Sequence, residues 1–504
     1  MRDQTVHAAT VNQQPVKSTY LFALVMSMLL VAVILRCWNI NQSFWWDEIW
    51  STMPYAKDPS VWSVMSNLGY YFNNHIFYSL MAHSSITLLG ESEFSARLPA
   101  LVMGLLGIIA AFQIGKKYLG EYCALICALL LSIAAFHIDH STEARGYSGL
   151  ALFALLSSLY FLRGLRINTI KEWSLYVAFT VLGCYIQIFM IAVCIAQLFF
   201  SFVIFLGEKA GFLDLGTAPK PYRNFLVALF SAAIVTLLLY APILPAFLAN
   251  MGKVRLVSVS RIPFLMNLLN AMLPGIKTLT GSLVYGVTGC CGLYGIFKKD
   301  RIFGIYIVAI ISLPLLLYLS LNPMFMFERY FIFALPFVLL IVGYGIVMLT
   351  QYLPVKYKTG FVFLCILLII YLQVPALKRV LTQDRQNYRE AMQYIEKAGI
   401  SENSGLVFSI GNAGEHFKYY AHGTPVVMPE NLRELFEMAA GKRHIWCLIT
   451  AWLPGLRPVY EDRALYAEKP GQYEIYDYVK NNFHLKKYYS SKFPVLIYYY
   501  DYEK

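Results

Sequence analysis

Charged residues are scarce in this chain. They make up 14% of its 504 residues, whereas a soluble globular protein carries about 25%. Hydrophobic residues make up 58% and are collected into long runs. This composition excludes an ordinary soluble protein and predicts a polytopic α-helical membrane protein. The formal net charge of +12 is explained by the loops of such a protein, so nothing indicates a nucleic-acid partner.

Cysteine is too sparse outside the apolar segments to form a disulfide framework. Eight of the nine cysteines lie in or at the ends of apolar runs, and only Cys447 lies beyond them. Because a single thiol has no partner within its own domain, a disulfide-stapled exported domain is excluded.

Eleven apolar segments are long enough to cross a bilayer. The first, near residues 20–35, follows a polar N-terminus and has no small-residue cleavage site, which predicts an uncleaved signal anchor. The others lie near residues 97–115, 121–137, 146–163, 173–187, 188–206, 224–248, 279–297, 302–320, 330–349 and 359–377. We therefore expect about 11–13 transmembrane helices within residues 1–377. The shorter run at 75–90 is predicted to lie flat in the interface, within a first outer loop spanning about residues 44–95.

Basic residues are concentrated in every second predicted loop, which is the pattern that the positive-inside rule describes. Lys116-Lys117 and Lys298-Lys299 are two examples. If the N-terminus is cytoplasmic, every cytoplasmic loop is basic, and the turn containing Asp47 lies on the outer face together with the C-terminal region. We expect an integral protein of a bacterial inner membrane, since the exported part has no disulfide framework and the chain has few glycosylation sequons.

Residues 378–504 have the composition of a soluble domain. Predicted strands near 406–410, 425–428, 444–450, 487–493 and 495–500 alternate with predicted helices near 388–397, 415–420 and 432–440. This order predicts a small extracytoplasmic α/β domain. The segment 411–415, Gly-Asn-Ala-Gly-Glu, is compatible with a phosphate cradle at a helix start. It lacks the dinucleotide fingerprint, and a plain strand-to-helix turn is the simpler interpretation.

An acidic pair, Asp47-Glu48, follows the aromatic residues 44–46 just beyond the first apolar segment. Two carboxylates at a membrane boundary are costly to desolvate and are typical of functional sites. The pair is therefore a candidate reactive site facing a lipid-borne substrate. Alternatively, it caps an interfacial helix or forms an ion pair with a neighbouring arginine.

Further polar residues fall in the predicted outer loops. Together they suit a reaction in which a carboxylate deprotonates an acceptor while cationic groups neutralise a phosphate leaving group. The candidates for binding a donor or its phosphate are His75, Glu143, Arg145, Arg255, Arg261, Arg329 and Tyr330. Alternatively, Arg255 and Arg261 contact lipid headgroups, and the Arg329-Tyr330 pair is a membrane-interface anchor.

The run of residues 137–143 contains two histidines and two acids at a spacing that resembles metal ligands: His137, Asp139, His140 and Glu143. A contact of Glu143 with substrate, or a structural ion pair, explains the same pattern. Because phosphate is already a good leaving group, no cofactor is predicted to be required, and a divalent metal is not needed to balance charge.

The order of these motifs resembles a known group of proteins. After the turn at Asp47 come Asn74-His75, an apolar run ending in Leu-Gly-Glu-Ser, and Ala-Arg-Leu-Pro-Ala at 96–100. Gly-Lys-Lys-Tyr-Leu-Gly at 115–120, Thr-Glu-Ala-Arg-Gly-Tyr at 142–147 and Glu-Arg-Tyr at 328–330 follow. The pattern is similar to membrane glycosyltransferases of the C-type (GT-C) fold. Within them it resembles the dolichyl-phosphate-mannose–protein mannosyltransferase-like branch that also holds the bacterial lipid A aminoarabinose transferase.

The resemblance implies an inverting transfer from a polyprenyl-phosphate sugar, with Asp47 as the catalytic base and Glu48 as its companion. It implies that His75 lies near the donor phosphate, and that Glu143, Arg145, Arg329 and Tyr330 occupy matching motif positions. One departure is that Ile76-Phe77 follows His75, where relatives usually have two prolines.

From the sequence we therefore expect an integral membrane glycosyltransferase with a lipid-linked donor. The acceptor, a glycolipid, a protein or a cell-envelope polymer, stays open. The alternatives are a transporter or flippase of a lipid-linked saccharide, whose ionisable residues would lie near the bilayer midplane, and an inactive accessory protein with the same fold.

Overall fold

A computed structural model of the protein describes residues 18–67, 73–216, 221–250, 261–321, 327–398, 405–410, 413–450, 470–491 and 494–501. The segments preceding Gln383 form the membrane part and those following it form the C-terminal domain. The predicted candidate Arg255 and residues Gly411 and Asn412 of the predicted turn lie outside the described residues.

The membrane part is entirely helical. In chain order its α-helices are α1 Ser18–Cys37, α2 Trp46–Ser51, α3 Met53–Ala56, α4 Val61–Ser66, α5 Ile76–Leu89, α6 Glu93–Tyr118, α7 Glu121–Ile133, α8 Ala135–Ser141, α9 Tyr147–Ile167, α10 Ile170–Ile186, α11 Met190–Lys209, α12 Pro221–Tyr240, α13 Leu244–Asn250, α14 Arg261–Met272, α15 Leu279–Lys299, α16 Arg301–Leu321, α17 Leu335–Leu349 and α18 Val355–Thr382. Short 3-10 helices cover Ala241–Ile243, Glu328–Ala334 and Thr350–Tyr352.

Within the described residues, nine helical segments are long and apolar enough to cross a membrane. They are α1, α6, α9, α11, Pro221–Ala249, α15, α16, Glu328–Tyr352 and α18. Helices α7 and α8 satisfy the same criteria as a pair, although they are bent by 61° relative to each other. The predicted span at 173–187 is α10, which has 17 residues. All eleven predicted segments are therefore helical, and the polytopic helical architecture is confirmed.

The bend between α7 and α8 differs from the straight span predicted at 121–137. It occurs at Ala134, where the sequence has neither proline nor glycine, so side-chain contacts must stabilise it. The fully buried guanidinium of Arg36 donates hydrogen bonds to the carbonyl of Ser132 (3.0 Å) and to Ser141 Oγ (2.8 Å), and lies 2.6 Å from His137 Nδ1. An arginine from α1 thus bonds groups on both sides of the break and fixes the direction of α8.

Small residues allow a close contact between helices α15 and α17. A Cβ atom on Gly345 of α17 would lie 1.8 Å from the carbonyl oxygen of Thr288, and one on Gly292 of α15 would lie 1.9 Å from that of Ile341. The backbones of α15 and α17 can therefore approach only because glycine occupies both positions, as is typical of helix pairs in membranes.

The C-terminal domain contains α19 Tyr388–Lys397, α20 Gly414–Tyr420, α21 Leu432–Ala439 and α22 Pro470–Asn482. Its strands are β1 Gly405–Ser409, β2 Val426–Val427, β3 His444–Thr450, β4 His484–Tyr489 and β5 Val495–Asp501, in the sheet order β2-β1-β3-β5-β4. The pairs β1–β2 and β1–β3 are parallel, whereas β3–β5 and β4–β5 are antiparallel. The strand predicted at 487–493 begins earlier, at His484, with a register shift between Leu485 and Lys487.

The two faces of this sheet belong to different cores. Leu406, Phe408 and Cys447 pack in a core that includes residues of α21 and α22. Val407 and Trp446, which alternate with them, belong to the core that continues into the membrane part. Because successive side chains of a strand point to opposite faces, one face of the sheet packs in a core with α21 and α22. The other face belongs to a core that includes α19 and α20 and continues into the membrane part.

Candidate active site

Asp47 lies in the first turn of α2, directly behind the aromatic residues of the predicted turn. Its side chain is buried, and its Oδ2 lies 2.7 Å from Nη1 of Arg329. The alternative that Asp47 forms an ion pair with an arginine is therefore observed. The pair does not exclude a reactive role, since a phosphate anion can compete with Asp47 for the same guanidinium.

Arg329 is placed by the 3-10 helix at residues 328–334. Its guanidinium carbon lies 4.3 Å from the ring centroid of Phe327, 5.4 Å from that of Tyr147 and 5.5 Å from that of Trp45. Aromatic faces stabilise a cation without neutralising it. Arg329 is thus held beside Asp47 with its positive charge retained.

A cavity of about 590 Å³ lies beside this pair. Its wall combines segments from the first predicted outer loop, α8 and the loop following it, α14, the start of the 3-10 helix at 328 and the end of α18. The lining residues that carry the argument are Asp47, Asp139, Glu143, Arg329, Arg379 and Arg385. The predicted candidates Asp47, Glu143 and Arg329 are therefore brought to one cavity, although they are far apart in the sequence.

Glu143 is a second carboxylate of the cavity wall. Its Oε2 lies 2.9 Å from His140 Nδ1 and 3.5 Å from Nη1 of Arg385. Burial opposes ionisation, but Arg385, His140 and Arg329 outweigh it and lower the pKa of the Glu143 carboxyl to about 2. Glu143 is therefore an anion at neutral pH and a weak base.

Arg385 is a site residue that the sequence interpretation did not identify. It follows α18 in the segment that leads into the C-terminal domain, and it is 4% exposed. Its guanidinium donates to Asp139 Oδ1 at 2.6 Å and to the Asp139 carbonyl. Burial lowers the pKa of Arg385, but the charges of Asp139 and Glu143 raise it by more. The sequence signal for Arg385 was a basic residue just beyond the last predicted span, on the predicted outer face.

Several buried polar atoms of these lining residues have no hydrogen-bond partner within the described part of the chain: Glu143 Oε1, Arg329 Nε and Arg385 Nη1. Buried polar atoms in folded proteins are nearly always bonded, and exceptions are concentrated at functional sites. A carboxylate oxygen and two guanidinium nitrogens thus have capacity for further bonds beside one cavity.

Glu48 is not brought to this cavity. It is fully buried, and its carboxylate accepts hydrogen bonds from Arg97 at 2.6 and 2.8 Å and from the amide of Ala144 at 2.6 Å. Arg97 also donates to the carbonyls of Ile40 and Gln42. These contacts join α2, α6 and the loop before α9, so the geometry gives Glu48 a positioning role beside Asp47.

His75 and Arg145 also lie outside the cavity wall. The Nδ1 of His75 accepts a hydrogen bond from the amide of Gly146 at 2.9 Å, and its Nε2 is 3.2 Å from Arg145 Nη2. Burial and the charges of Arg145 and Arg329 hold the pKa of His75 well below its usual range. In this arrangement the neutral form of His75 is therefore favoured.

Arg145 joins α2 to the segment before α5. It donates to Ser51 Oγ, to the side chain of Asn73 and to the Asn73 carbonyl, the last at 3.1 Å. Tyr330 stacks on Phe189 with ring centroids 5.4 Å apart. Arg261 is exposed at the start of α14. These three candidates are not among the residues that line the cavity.

The two histidines and two acids whose spacing resembled metal ligands do not form one group in the structure. His137 contacts Arg36, whereas Asp139, His140 and Glu143 interact with Arg385 or with each other. Within the described ranges, no three His, Cys, Asp or Glu side chains are grouped so that they could hold a metal ion.

Comparison with known proteins shows a family similarity over part of the chain. Residues 75–240, less than half of the chain, match the family model of dolichyl-phosphate-mannose-protein mannosyltransferase. No curated protein sequence matches the chain.

The solved structures that resemble the chain are membrane glycosyltransferases. ArnT from Cupriavidus metallidurans in the apo state is 12% identical, with a TM-score of 0.56 over 95% of this chain and 98% of that one. The same protein bound to undecaprenyl phosphate gives a TM-score of 0.53 at 12% identity, over 96% of this chain and 98% of that one.

Two further structures are similar over most of this chain. The archaeal oligosaccharyltransferase AglB from Archaeoglobus fulgidus is 12% identical, with a TM-score of 0.51 over 85% of this chain and 69% of that one. The mycobacterial arabinofuranosyltransferase AftD is 11% identical, with a TM-score of 0.52 over 86% of this chain and 35% of that one. The chain therefore has the GT-C fold, and its residues 75–240 are similar to the protein mannosyltransferase family that the motifs predicted.

Proposed function

We propose that the protein transfers a sugar from a polyprenyl-phosphate carrier to an extracytoplasmic acceptor, with inversion at the anomeric carbon. The observation that carries this proposal is the placement of Asp47 beside Arg329, Arg385 and Glu143 at one cavity. A base and a pair of guanidinium groups are the parts that displacement of a phosphate leaving group requires. Undecaprenyl phosphate bound to ArnT supports a lipid phosphate as the leaving group.

In the proposed reaction, Asp47 accepts the proton of an acceptor hydroxyl or amine. The acceptor heteroatom then forms a bond to the anomeric carbon, and the bond from that carbon to the phosphate oxygen breaks. The electron pair stays on the phosphate, so the product is a polyprenyl phosphate dianion. The reaction written in this way requires neither a cofactor nor a metal ion.

Arg329 and Arg385 are proposed to stabilise the charge that develops on the phosphate. Arg329 is paired with Asp47 at 2.7 Å in the structure. A donor phosphate would compete for this guanidinium and release Asp47 as a base at the point where the donor is bound. Glu143 is proposed to hold Arg385 in place and to accept hydrogen bonds from the sugar through Oε1.

The protein is proposed to act in a bacterial inner membrane with the cavity on its outer side. The loops that contribute to the cavity wall are those that the positive-inside rule predicts to lie outside the cytoplasm. The described acidic and basic residues of the site are clustered at one end of the membrane part, which disfavours a transport pathway with charges at the midplane.

The proposal is tested by replacing Asp47 with Asn. The full-length protein is reconstituted with undecaprenyl-phosphate-linked pentoses and hexoses and with lipid, peptide and polymer fractions of the cell envelope. Release of undecaprenyl phosphate is measured by mass spectrometry. Asp47→Asn is expected to lower turnover by about 10²–10⁴-fold while binding undecaprenyl phosphate at least as tightly as the wild type, because the carboxylate that competes for Arg329 is removed.

The matched control is Asp58→Asn, the same chemical change at an aspartate that precedes α4, does not line the cavity and accepts hydrogen bonds from Ser60 and Ser63. It is expected to keep wild-type turnover. Full turnover in Asp47→Asn would show that another group is the base. Sugar movement across the membrane without release of undecaprenyl phosphate would instead identify a transporter.

A further inference from the structure

The backbone immediately before Asp47 is held largely by the C-terminal domain. The amide of Phe44 donates to Tyr420 Oη at 2.7 Å, and the amide of Trp46 donates to Gln386 Oε1 at 2.7 Å. Between them, the amide of Trp45 donates to Glu48 Oε2 at 3.1 Å. Three consecutive amides are therefore bonded to side chains, and two of those side chains come from beyond the last transmembrane helix.

A histidine of α20 also contacts this turn. The ring of His416 stacks on that of Trp46 with centroids 4.0 Å apart, and its Nε2 lies 3.2 Å from the carbonyl oxygen of Trp46. His416 is fully buried. Both the amide and the carbonyl of Trp46, the residue preceding Asp47, thus contact the C-terminal domain.

The side chains of Tyr420 and Gln386 each make a second hydrogen bond that fixes their position. Tyr420 Oη donates to Glu93 Oε1 at 2.8 Å, which connects α20 to the start of α6. Gln386 Nε2 donates to Thr450 Oγ1 at 3.1 Å, at the end of the central strand β3. The position of the turn is therefore linked to the sheet as well as to the membrane helices.

Helix α2 cannot hold Asp47 in place by itself. It has six residues, and an isolated helix of that length is unstable because nucleation fixes several residues for few hydrogen bonds. Its orientation must come from tertiary contacts. Arg97 and Glu48 supply contacts from the membrane part, and Tyr420, Gln386 and His416 supply those at the end where Asp47 lies.

We propose that the C-terminal domain is a positioning element for the catalytic base, acting through Tyr420 and Gln386 on the backbone that carries Asp47. This inference rests on the proposed role of Asp47. Neither residue contacts substrate in this scheme. Each keeps the carboxylate in reach of the acceptor proton, where displacement of about 1 Å can slow a reaction 10²-fold.

The chain offers a matched pair of variants on α20. Tyr420→Phe removes the hydrogen bond to the Phe44 amide, whereas Tyr419→Phe removes a hydrogen bond from the neighbouring tyrosine to Glu91, of 2.6 Å. Both changes delete one hydroxyl that bonds the domain to the membrane part, although Tyr420→Phe also removes the hydrogen bond to Glu93 Oε1. Of these two tyrosines, Tyr420 is the one whose hydroxyl bonds to the backbone of the turn.

Turnover is measured with an undecaprenyl-phosphate sugar that the wild-type protein uses, well below the unfolding midpoint of each variant. Tyr420→Phe and Gln386→Ala are expected to lower kcat about tenfold while the KM for the donor stays within about twofold. Tyr419→Phe is expected to keep both parameters within about twofold. Wild-type kcat in both Tyr420→Phe and Gln386→Ala, or equal losses in Tyr419→Phe, would overturn the inference.

Asp47→Asn is measured in the same series so that the two proposals can fail separately. If Asp47→Asn is inactive while Tyr420→Phe and Gln386→Ala are fully active, the positioning role is wrong and the base assignment stands. If Asp47→Asn is fully active, the base assignment itself is wrong.

Discussion

Arg329 Nη1 lies 2.7 Å from Asp47 Oδ2, although the two residues come from opposite ends of the membrane part of the chain. The arginine is surrounded by the rings of Trp45, Tyr147 and Phe327. This pair places a carboxylate and a guanidinium side by side, and each has a separate task in the proposed reaction. The following predictions distinguish these tasks from purely structural ones.

Replacing Arg329 with Gln is expected to lower kcat/KM by about 10²–10³-fold, because one group that stabilises the leaving phosphate is removed. Arg329→Lys should recover part of the activity, since a lysine retains the charge but not the planar fork. Release of undecaprenyl phosphate is the measurement. The control is Arg433→Gln, which removes an arginine paired with Glu437 on the exposed surface of α21. Equal activity of Arg329→Gln and Arg433→Gln would contradict the role of Arg329.

Arg385→Gln is expected to destabilise the folded protein as well as to reduce turnover. Loss of the guanidinium leaves the carboxylates of Asp139 and Glu143 without their buried partner, and breaking a buried ion pair costs about 3–5 kcal/mol. Thermal unfolding in detergent measures the loss. Arg389→Gln in the same segment removes a more exposed pair with Glu93 and should cost at most about 1 kcal/mol. A stable but inactive Arg385→Gln would assign Arg385 to the reaction alone.

Glu48→Gln tests whether the companion carboxylate is structural or catalytic. Because Glu48 neutralises the fully buried Arg97, its replacement is expected to lower the free energy of unfolding by about 3–5 kcal/mol. Glu91→Gln breaks an exposed pair with Lys57 and should change stability by about 1 kcal/mol or less. If Glu48→Gln unfolded like the wild type but had lost its turnover, the carboxylate would belong to the chemistry.

His75 gives a prediction about pH. Its pKa in the folded protein is lowered by burial and by Arg145 and Arg329, so the unfolded chain binds a proton more readily than the folded protein does. Stability from this group is therefore present above its unfolded pKa of about 6.5 and is lost as the pH falls below that value. His75→Asn should reduce the loss of thermal stability between about pH 7.5 and 5.5, by about 1 kcal/mol.

The control for this measurement is His484→Asn, because His484 is an exposed histidine on β4. Its replacement should leave the pH dependence of unfolding unchanged. An identical dependence in His75→Asn and in the wild type would show that His75 is not held neutral in the folded protein.

Much of the fold was predictable because its signals are local. Each of the eleven apolar runs is helical, since a backbone in lipid must satisfy its own hydrogen bonds. Helices α19, α20 and α21 and most strands of the C-terminal domain also lie where the sequence predicted them, whereas α22 was not among the predicted helices. The bend at Ala134 was not predictable, because the residues that stabilise it come from α1 and not from the bent segment itself.

In the candidate site, too, some features were predictable from the sequence and others were not. Clustering of acids and arginines in the predicted outer loops indicated Asp47, Glu143 and Arg329, and the structure brings these three together. In the structure Glu48 pairs with Arg97, and Arg145 bonds to Asn73. Arg385, at the start of the C-terminal domain, is part of the cavity wall and lies near Glu143. Sequence spacing contains no information about which of several nearby arginines a buried carboxylate will face.

The amino-acid sequence by itself determined the membrane-spanning helices, the separate α/β domain and the acidic turn behind the first helix. Apolar length and periodicity specify these features within short stretches of chain. Only the tertiary structure decided which charges share the cavity and that Tyr420 and Gln386 hold the backbone of the turn. Those contacts join segments hundreds of residues apart, and burial makes each of them depend on how whole helices pack.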